Sequence, residues 1–245
     1  MVRVRVAGTG RPLLLIHGLG CGIDAWEPLA EHLPDFELIS VDPPGIGGSP
    51  GGLRPLTMRG LSRVLTFVLD SLERPLVDVL GLSWGGLLAQ QFAHDQPNRV
   101  RRLILCATGC GLGAVPGDPR ALMSMLTPQR IDAVAPLLYG QEILRNRDAL
   151  DRFLRARDQP SLLGYYGQLV RVFGWSSLPW LHQLRMPTLL MAGRDDRIVP
   201  PINAREIAWR MTNARVHWMD GGHLFLMLRP TESAAVIREF LREQQ

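Results

Sequence analysis

The stretch VLGLSWGGLLAQQFA, residues 79–93, decides how the rest of the chain is read. Val79 to Leu82 is an apolar run of the kind that ends a buried strand, and from Trp84 onward the pattern is that of an amphipathic helix. Ser83 therefore falls on the turn between them, within Gly81-Leu82-Ser83-Trp84-Gly85. Small flanking residues permit a strained backbone, and a tight strand-to-helix turn exposes the hydroxyl. The helix start also directs backbone N–H groups toward any anion formed there. A Gly-x-Ser-x-Gly pattern arises by chance in about one chain in ten of this size. Its position after an apolar strand and before a helix is what gives it weight.

Similar runs recur along the chain: 12–17, 36–42, 75–83, 100–108, 187–193 and 214–220, with helical patterns at 24–33, 56–72, 84–95, 201–211 and 231–243. Strands buried on both faces and separated by helix-length segments predict a mostly parallel sheet covered by helices on each side. The first residues, MVRVRVAGTGRP, alternate arginine with valine and read as a further strand with one polar face, not as a signal peptide. The alternation breaks once. Residues 109–186 carry only helical patterns, which predicts a helical cap inserted between a core of 1–108 and 187–245 and placed over the carboxyl edge of the sheet.

At 245 residues, with 46% hydrophobic and 20% charged, the chain suits one large domain. The net charge of +4 comes entirely from arginine on the basic side, because there is no lysine, and this removes catalytic-lysine and Schiff-base chemistry. The arginines are scattered, and the densest group, RVRR at 99–102, is too thin for a nucleic-acid-binding stripe. Cys21, Cys106 and Cys110 are odd in number and lack metal-ligand spacing, so neither a disulfide framework nor a zinc site is expected. No apolar run is long enough for a transmembrane segment. The expectation is a cytoplasmic protein that needs no metal and no organic cofactor.

A nucleophilic serine needs a base, and the base needs an orienting carboxylate. After a strand-turn-helix serine these follow in the order acid, then histidine. AGRDDRIVPP (192–201) carries Asp195 and Asp196 past one strand, and DGGHLFLM (220–227) carries His223 past the next. Both loops fall at carboxyl ends of strands, on the same edge as Ser83. Asp196 is preferred to Asp195 for its spacing to Pro200. His32, His94 and His182 are expected on surfaces, and His217 within a strand. His17-Gly18 ends the second strand, and a turn there would offer the Leu19 backbone N–H as one oxyanion donor, with Trp84 N–H as the other and His17 itself structural. The glycines of DPPGIGGS (42–49) open no helix, so this is a sharp loop rather than a phosphate cradle. Asp42 precedes Ser83, which argues against its serving as the acid.

These landmarks, His17-Gly18, residues 42–49, Ser83, Asp196 and His223, resemble the α/β-hydrolase superfamily along nearly the whole chain. Within it, GLSWGGLLAQQFAHDQP, GYYGQLVRVFGWSSLPWL, PTLLMAGRDDRIVPPINAREIAW and DGGHLFLM are similar to intracellular depolymerases of medium-chain-length poly(3-hydroxyalkanoates). The chain departs from that family in reading His17-Gly18 where Asn-Gly is more usual, and in a shorter start. The resemblance implies a serine hydrolase that cleaves ester links of a storage polyester, with the granule surface as partner. Tyr165, Tyr166, Phe173, Trp175 and Trp180 are candidates to line an apolar acyl channel, or else pack the cap onto the core. Small-molecule esterases, thioesterases, lactonases and carbon–carbon bond hydrolases share the same triad, and a non-catalytic binding protein on this fold is the reading from another class.

Overall fold

The apolar runs become strands because their alternate side chains have two helical layers to bury against. A computed structural model describes residues 1–51, 56–126 and 162–243. Among these, β1 (Arg3–Ala7), β2 (Arg11–Ile16), β3 (Phe36–Asp42), β4 (Val77–Leu82), β5 (Val100–Cys106), β6 (Thr188–Gly193) and β7 (Ala214–Met219) form one sheet in the order β1-β3-β2-β4-β5-β6-β7. Every pairing is parallel except β1 with β3. The helices are α1 (Glu27–Ala30), α2 (Met58–Ser71), α3 (Trp84–Asp95), α4 (Pro119–Ser124), α5 (Leu162–Val172), α6 (Ile202–Arg210), α7 (Phe225–Leu228) and α8 (Pro230–Arg242).

The two-residue period of the strands divides the core. Leu13, Leu15, Leu80, Leu82, Ile104, Leu189 and Met191 pack on one face with Trp26, Leu29 and the α8 residues Ile237, Phe240 and Leu241. Leu14, Ile16, Val79, Leu103, Leu105 and Leu190 pack on the other with the α2 stripe Met58, Leu61, Leu65, Leu69 and with Leu88 and Phe92 of α3. The α2 spacing is that of one helical face, and its start is capped by Thr57, whose hydroxyl accepts from Gly60 N–H at 3.1 Å.

This layering positions the site. The chain leaves β2 toward the α8 side, through Trp26 and Leu29, and leaves β4 toward the α2 side, through α3. Adjacent strands whose exits part to opposite faces open a crevice at their carboxyl ends. Ser83 stands in that crevice.

The segment 24–33 is less helical than its pattern predicts. It forms a 3-10 turn at Ile23–Trp26 followed by the single turn α1. Pro28, within the first turn of α1, has no N–H to return to Asp24, so one continuous α-helix cannot form. Between β5 and β6 the described residues form α4, α5 and an isolated bridge between Gly111 and Ser176. Part of the region read as a cap, 127–161, lies outside the described residues.

Candidate active site

The bend at Ser83 is held by backbone contacts on every side. Ser83 has φ 52° and ψ −116°, a conformation that strains any residue with a side chain and costs about 1–3 kcal/mol. Its N–H donates to the Cys106 carbonyl at 2.8 Å, and its own carbonyl accepts from Gly86 N–H at 2.9 Å and from the Thr108 hydroxyl at 2.7 Å. The glycines around it are required by close approach. A Cβ on Gly81 would stand 2.5 Å from the Gly85 carbonyl oxygen, and one on Gly85 would stand 2.1 Å from that of Ile16. Strand β4, helix α3 and strand β2 can meet this tightly only without those side chains.

Ser83 Oγ lies 2.9 Å from His223 Nε2, and His223 Nδ1 lies 2.7 Å from Asp196 Oδ2. The other carboxylate oxygen of Asp196 accepts from the N–H groups of Ile198 and Val199, both at 2.9 Å. The imidazole is therefore held at Nδ1 and turned to present Nε2 to the serine. Asp195, by contrast, is exposed. The two loops carrying Asp196 and His223 are joined to each other: Arg194 N–H donates to Met219 and Asp195 N–H to Gly221. Gly193 allows this approach, since a Cβ there would stand 2.5 Å from the Gly222 carbonyl oxygen.

A second histidine–aspartate pair supports the loop after β2. His17 is buried, with Nε2 2.9 Å from Asp42 Oδ1 and Nδ1 3.1 Å from the Gly18 carbonyl. Asp42 also accepts from the N–H groups of Ile23 and Gly48, both at 2.9 Å, and pairs with Arg3 at 3.4 Å. Residues 42–49 thus fold around a carboxylate. The loop 17–20 passes directly against the serine: a Cβ on Gly18 would lie 3.6 Å from Ser83 Cβ. Leu19 follows at once, and Trp84 begins α3, where the first N–H groups have no acceptor within the helix. Cys106, behind the elbow, offers no competing nucleophile, because burial pushes its thiol far up and keeps it protonated.

The aromatic residues between β5 and β6 are distributed differently from an enclosed channel lining. Phe173 is 83% exposed, so its ring stands in solvent. Helix α5 buries the face bearing Gly164, Tyr165 and Gln168, and Phe173 lies past the end of that helix. Tyr166 is also exposed, and its hydroxyl donates to the Leu126 carbonyl at 2.8 Å. Tyr165 is buried and donates to the Met125 carbonyl at 2.8 Å. Trp175 donates to Gln91 Oε1 at 2.7 Å, and Trp180 lies edge-on to Trp175 and over the ring of His94, with centroids 4.3 Å apart. His94 is therefore half-buried beneath the Trp180 ring, where its helical pattern alone predicts an open surface.

Gln168 carried no signal in the sequence beyond being a polar residue among leucines, yet it sits beside the site. Its Oε1 accepts from Gly20 N–H at 3.0 Å, and its carbonyl accepts from the Trp84 indole at 2.9 Å. Among the described residues no group of three or more histidine, cysteine or acidic side chains is placed to hold a metal, and no helix is long and apolar enough to cross a membrane.

Comparison with known proteins agrees with this architecture. The family model for the alpha/beta hydrolase fold matches residues 11–230. The chain is 41% identical over 241 residues to a poly(3-hydroxyalkanoate) depolymerase of Ectopseudomonas oleovorans, covering 96% of this chain and 85% of that protein. It is 26% identical over 275 residues to a 2-hydroxy-6-oxo-6-phenylhexa-2,4-dienoate hydrolase of Comamonas testosteroni, covering 100% of this chain and 92% of that one. An enol-lactonase structure from Burkholderia xenovorans superposes with a TM-score of 0.88 at 24% identity, over 99% of this chain and 96% of that chain. A mostly parallel sheet with a strained serine elbow at its carboxyl edge, matched by the family model over most of the sequence, makes this chain a member of the α/β-hydrolase fold family.

Proposed function

We propose that this protein is a serine hydrolase that cleaves ester bonds through an acyl-enzyme, and that its substrate is a medium-chain-length poly(3-hydroxyalkanoate). The observation that carries the chemistry is the continuous line of hydrogen bonds from Ser83 Oγ through His223 to Asp196, at 2.9 and 2.7 Å. Neutral His223 takes the Ser83 proton at Nε2 as the serine oxygen attacks the ester carbonyl. Asp196 holds the ring and stabilises its cationic form. The N–H groups of Leu19 and Trp84 receive the oxyanion, each contributing about 3–4 kcal/mol to transition-state stabilisation. His223 then gives its proton to the departing hydroxy acid, and a water deprotonated by the same nitrogen frees the acyl group. All these steps use side chains and backbone groups of the chain itself.

The polyester assignment is supported by the 41% identical depolymerase. On this reading the enzyme acts in the cytoplasm, at the surface of storage granules. The described parts of 109–186 then belong to a cap; Trp175 and Trp180 tie it to α3 rather than line an acyl channel, and Tyr165 bonds within it to Met125. The relative that cleaves a dienoate supports a second reading, in which the same serine acts on a small soluble substrate.

The experiment is release of 3-hydroxy acids from a medium-chain polyester suspension, run beside a soluble octanoate ester, with wild type and Ser83→Ala. Release from both, lost by about 10⁴-fold or more in the variant, is the expected result. Serine-dependent cleavage of the soluble ester alone moves the function to a small-molecule esterase. Activity that survives Ser83→Ala, or absence of Ser83 labelling by a fluorophosphonate probe, overturns the mechanism.

A further inference from the structure

A cavity of about 290 Å³ lies between the start of α6 and the end of β7, lined by Arg194, Pro201, Ile202, Arg205 and Trp218. None of Ser83, Asp196 or His223 lines it. Its volume is at the lower end of small-molecule sites, about 300–1,000 Å³. Arg205 lays its guanidinium over the Trp218 ring, 5.1 Å from the centroid. Stacking uses the face of the guanidinium and leaves the N–H groups at its edge free and already oriented. Among the described residues no carboxylate pairs with Arg205. Arg194 meets Asp220 through Nε alone, at 3.4 Å and with both side chains largely in solvent, so its terminal nitrogens remain available. Both arginines are exposed, and a ligand reaches them from solvent. The rest of the wall, Pro201, Ile202 and the indole, is largely apolar, and no acidic side chain lines it.

We propose that this cavity is a binding site for a medium-chain carboxylate, separate from the crevice at Ser83. The carboxylate is held by the guanidinium edges of Arg194 and Arg205, and the alkyl chain lies over Pro201, Ile202 and Trp218. A planar carboxylate matches the guanidinium fork and forms charge-assisted hydrogen bonds with it. A small inorganic anion leaves the apolar wall in water, and a neutral alkyl chain leaves the N–H groups without an acceptor; a carboxylate carrying a chain satisfies both. The site stands apart from the ester-hydrolase reading. The 3-hydroxy acids released by that reaction have this chemistry, and so do plain fatty acids.

The test is equilibrium dialysis of radiolabelled octanoate against wild type, Arg194→Gln and Arg205→Gln, followed by competition on wild type with 3-hydroxyoctanoate, acetate and 1-octanol. Wild type is expected to bind octanoate about 10-fold more tightly than either variant, since each variant loses a charge-assisted pair. Acetate lacks the chain and 1-octanol lacks the charge, and each should compete at least about 10-fold less well than unlabelled octanoate. Stronger competition by 3-hydroxyoctanoate than by octanoate assigns the ligand to the released hydroxy acids, and the reverse order assigns it to plain fatty acids; the site stands in either case. Octanoate binding that is the same in all three proteins, or absent from wild type, overturns the inference. So does 1-octanol competing as well as octanoate. The competition uses wild type alone and does not depend on how the variants fold, and no step of the measurement requires turnover, so a failed esterase assay and a failed binding assay are told apart.

Discussion

Two buried histidine–aspartate pairs flank Ser83, and they do opposite things with the same chemistry. His17 points Nε2 at Asp42 at 2.9 Å, and its Nδ1 faces the Gly18 carbonyl at 3.1 Å, so both ring nitrogens are turned to groups of the fold and neither to Ser83. His223 points Nδ1 at Asp196 at 2.7 Å and leaves Nε2 for Ser83 Oγ at 2.9 Å. The carboxylates differ as well. Asp42 gathers N–H groups from Ile23 and Gly48 and a guanidinium from Arg3, tying together β1, β3 and the loop after β2. Asp196 gathers only the N–H groups of its own turn, Ile198 and Val199. A histidine with a carboxylate partner is thus not a base by virtue of that partner. What decides is where the second nitrogen goes.

The comparison is broken most directly by making the same substitution in both pairs. His223→Gln should lower kcat by about 10⁴-fold or more while leaving the unfolding midpoint nearly unchanged, because glutamine cannot accept the serine proton. Esterase turnover above that level would mean that His223 is not the base. Asp196→Asn should follow, with a loss in kcat of about 10⁴-fold, because the amide holds the ring in the wrong tautomer; steady-state kinetics on a soluble ester would measure it. If Asn at 196 costs less than tenfold, Asp196 only positions its own turn.

The effects in the first pair should be on stability. Asp42→Asn removes the acceptor charge from a carboxylate holding two backbone N–H groups, a histidine and an arginine, and should cost about 3 kcal/mol in urea unfolding. His17→Gln keeps a donor for Asp42 and should cost less, about 1–2 kcal/mol, with kcat within about tenfold of wild type. A collapse in kcat at His17 comparable to that at His223 would erase the distinction between the pairs. The smallest effect sharpens the reading of the region between β5 and β6. Phe173→Ser, at an exposed ring, should change unfolding by less than about 0.5 kcal/mol, and a larger change would show that this face is covered in solution.

Much of this was legible in the chain because it is set by local rules. The strand that ends at Leu82, the serine at the bend and the glycines at 81 and 85 follow from apolar runs and from residues without a Cβ where backbones must touch. The segment 24–33 was misread because a single proline, Pro28, outweighs a helical pattern on either side of it. The aromatic residues were harder still. Nothing local distinguishes Tyr165, buried on α5, from Tyr166, its exposed neighbour, since which side of a helix is covered depends on what packs there.

The alternation of strands and helices, the elbow at Ser83 and the order in which Asp196 and His223 follow it are written in the chain, because these depend on residues near one another along it. Which carboxylate faces which histidine, and that the Gln168 amide oxygen meets Gly20 N–H, follow instead from how the elements pack. Hydrogen bonds such as that between His223 and Ser83, 140 residues apart, form between atoms that become neighbours when the sheet assembles. The direction of a ring nitrogen or an amide is then fixed by the backbone donors and carbonyls that packing brings to it.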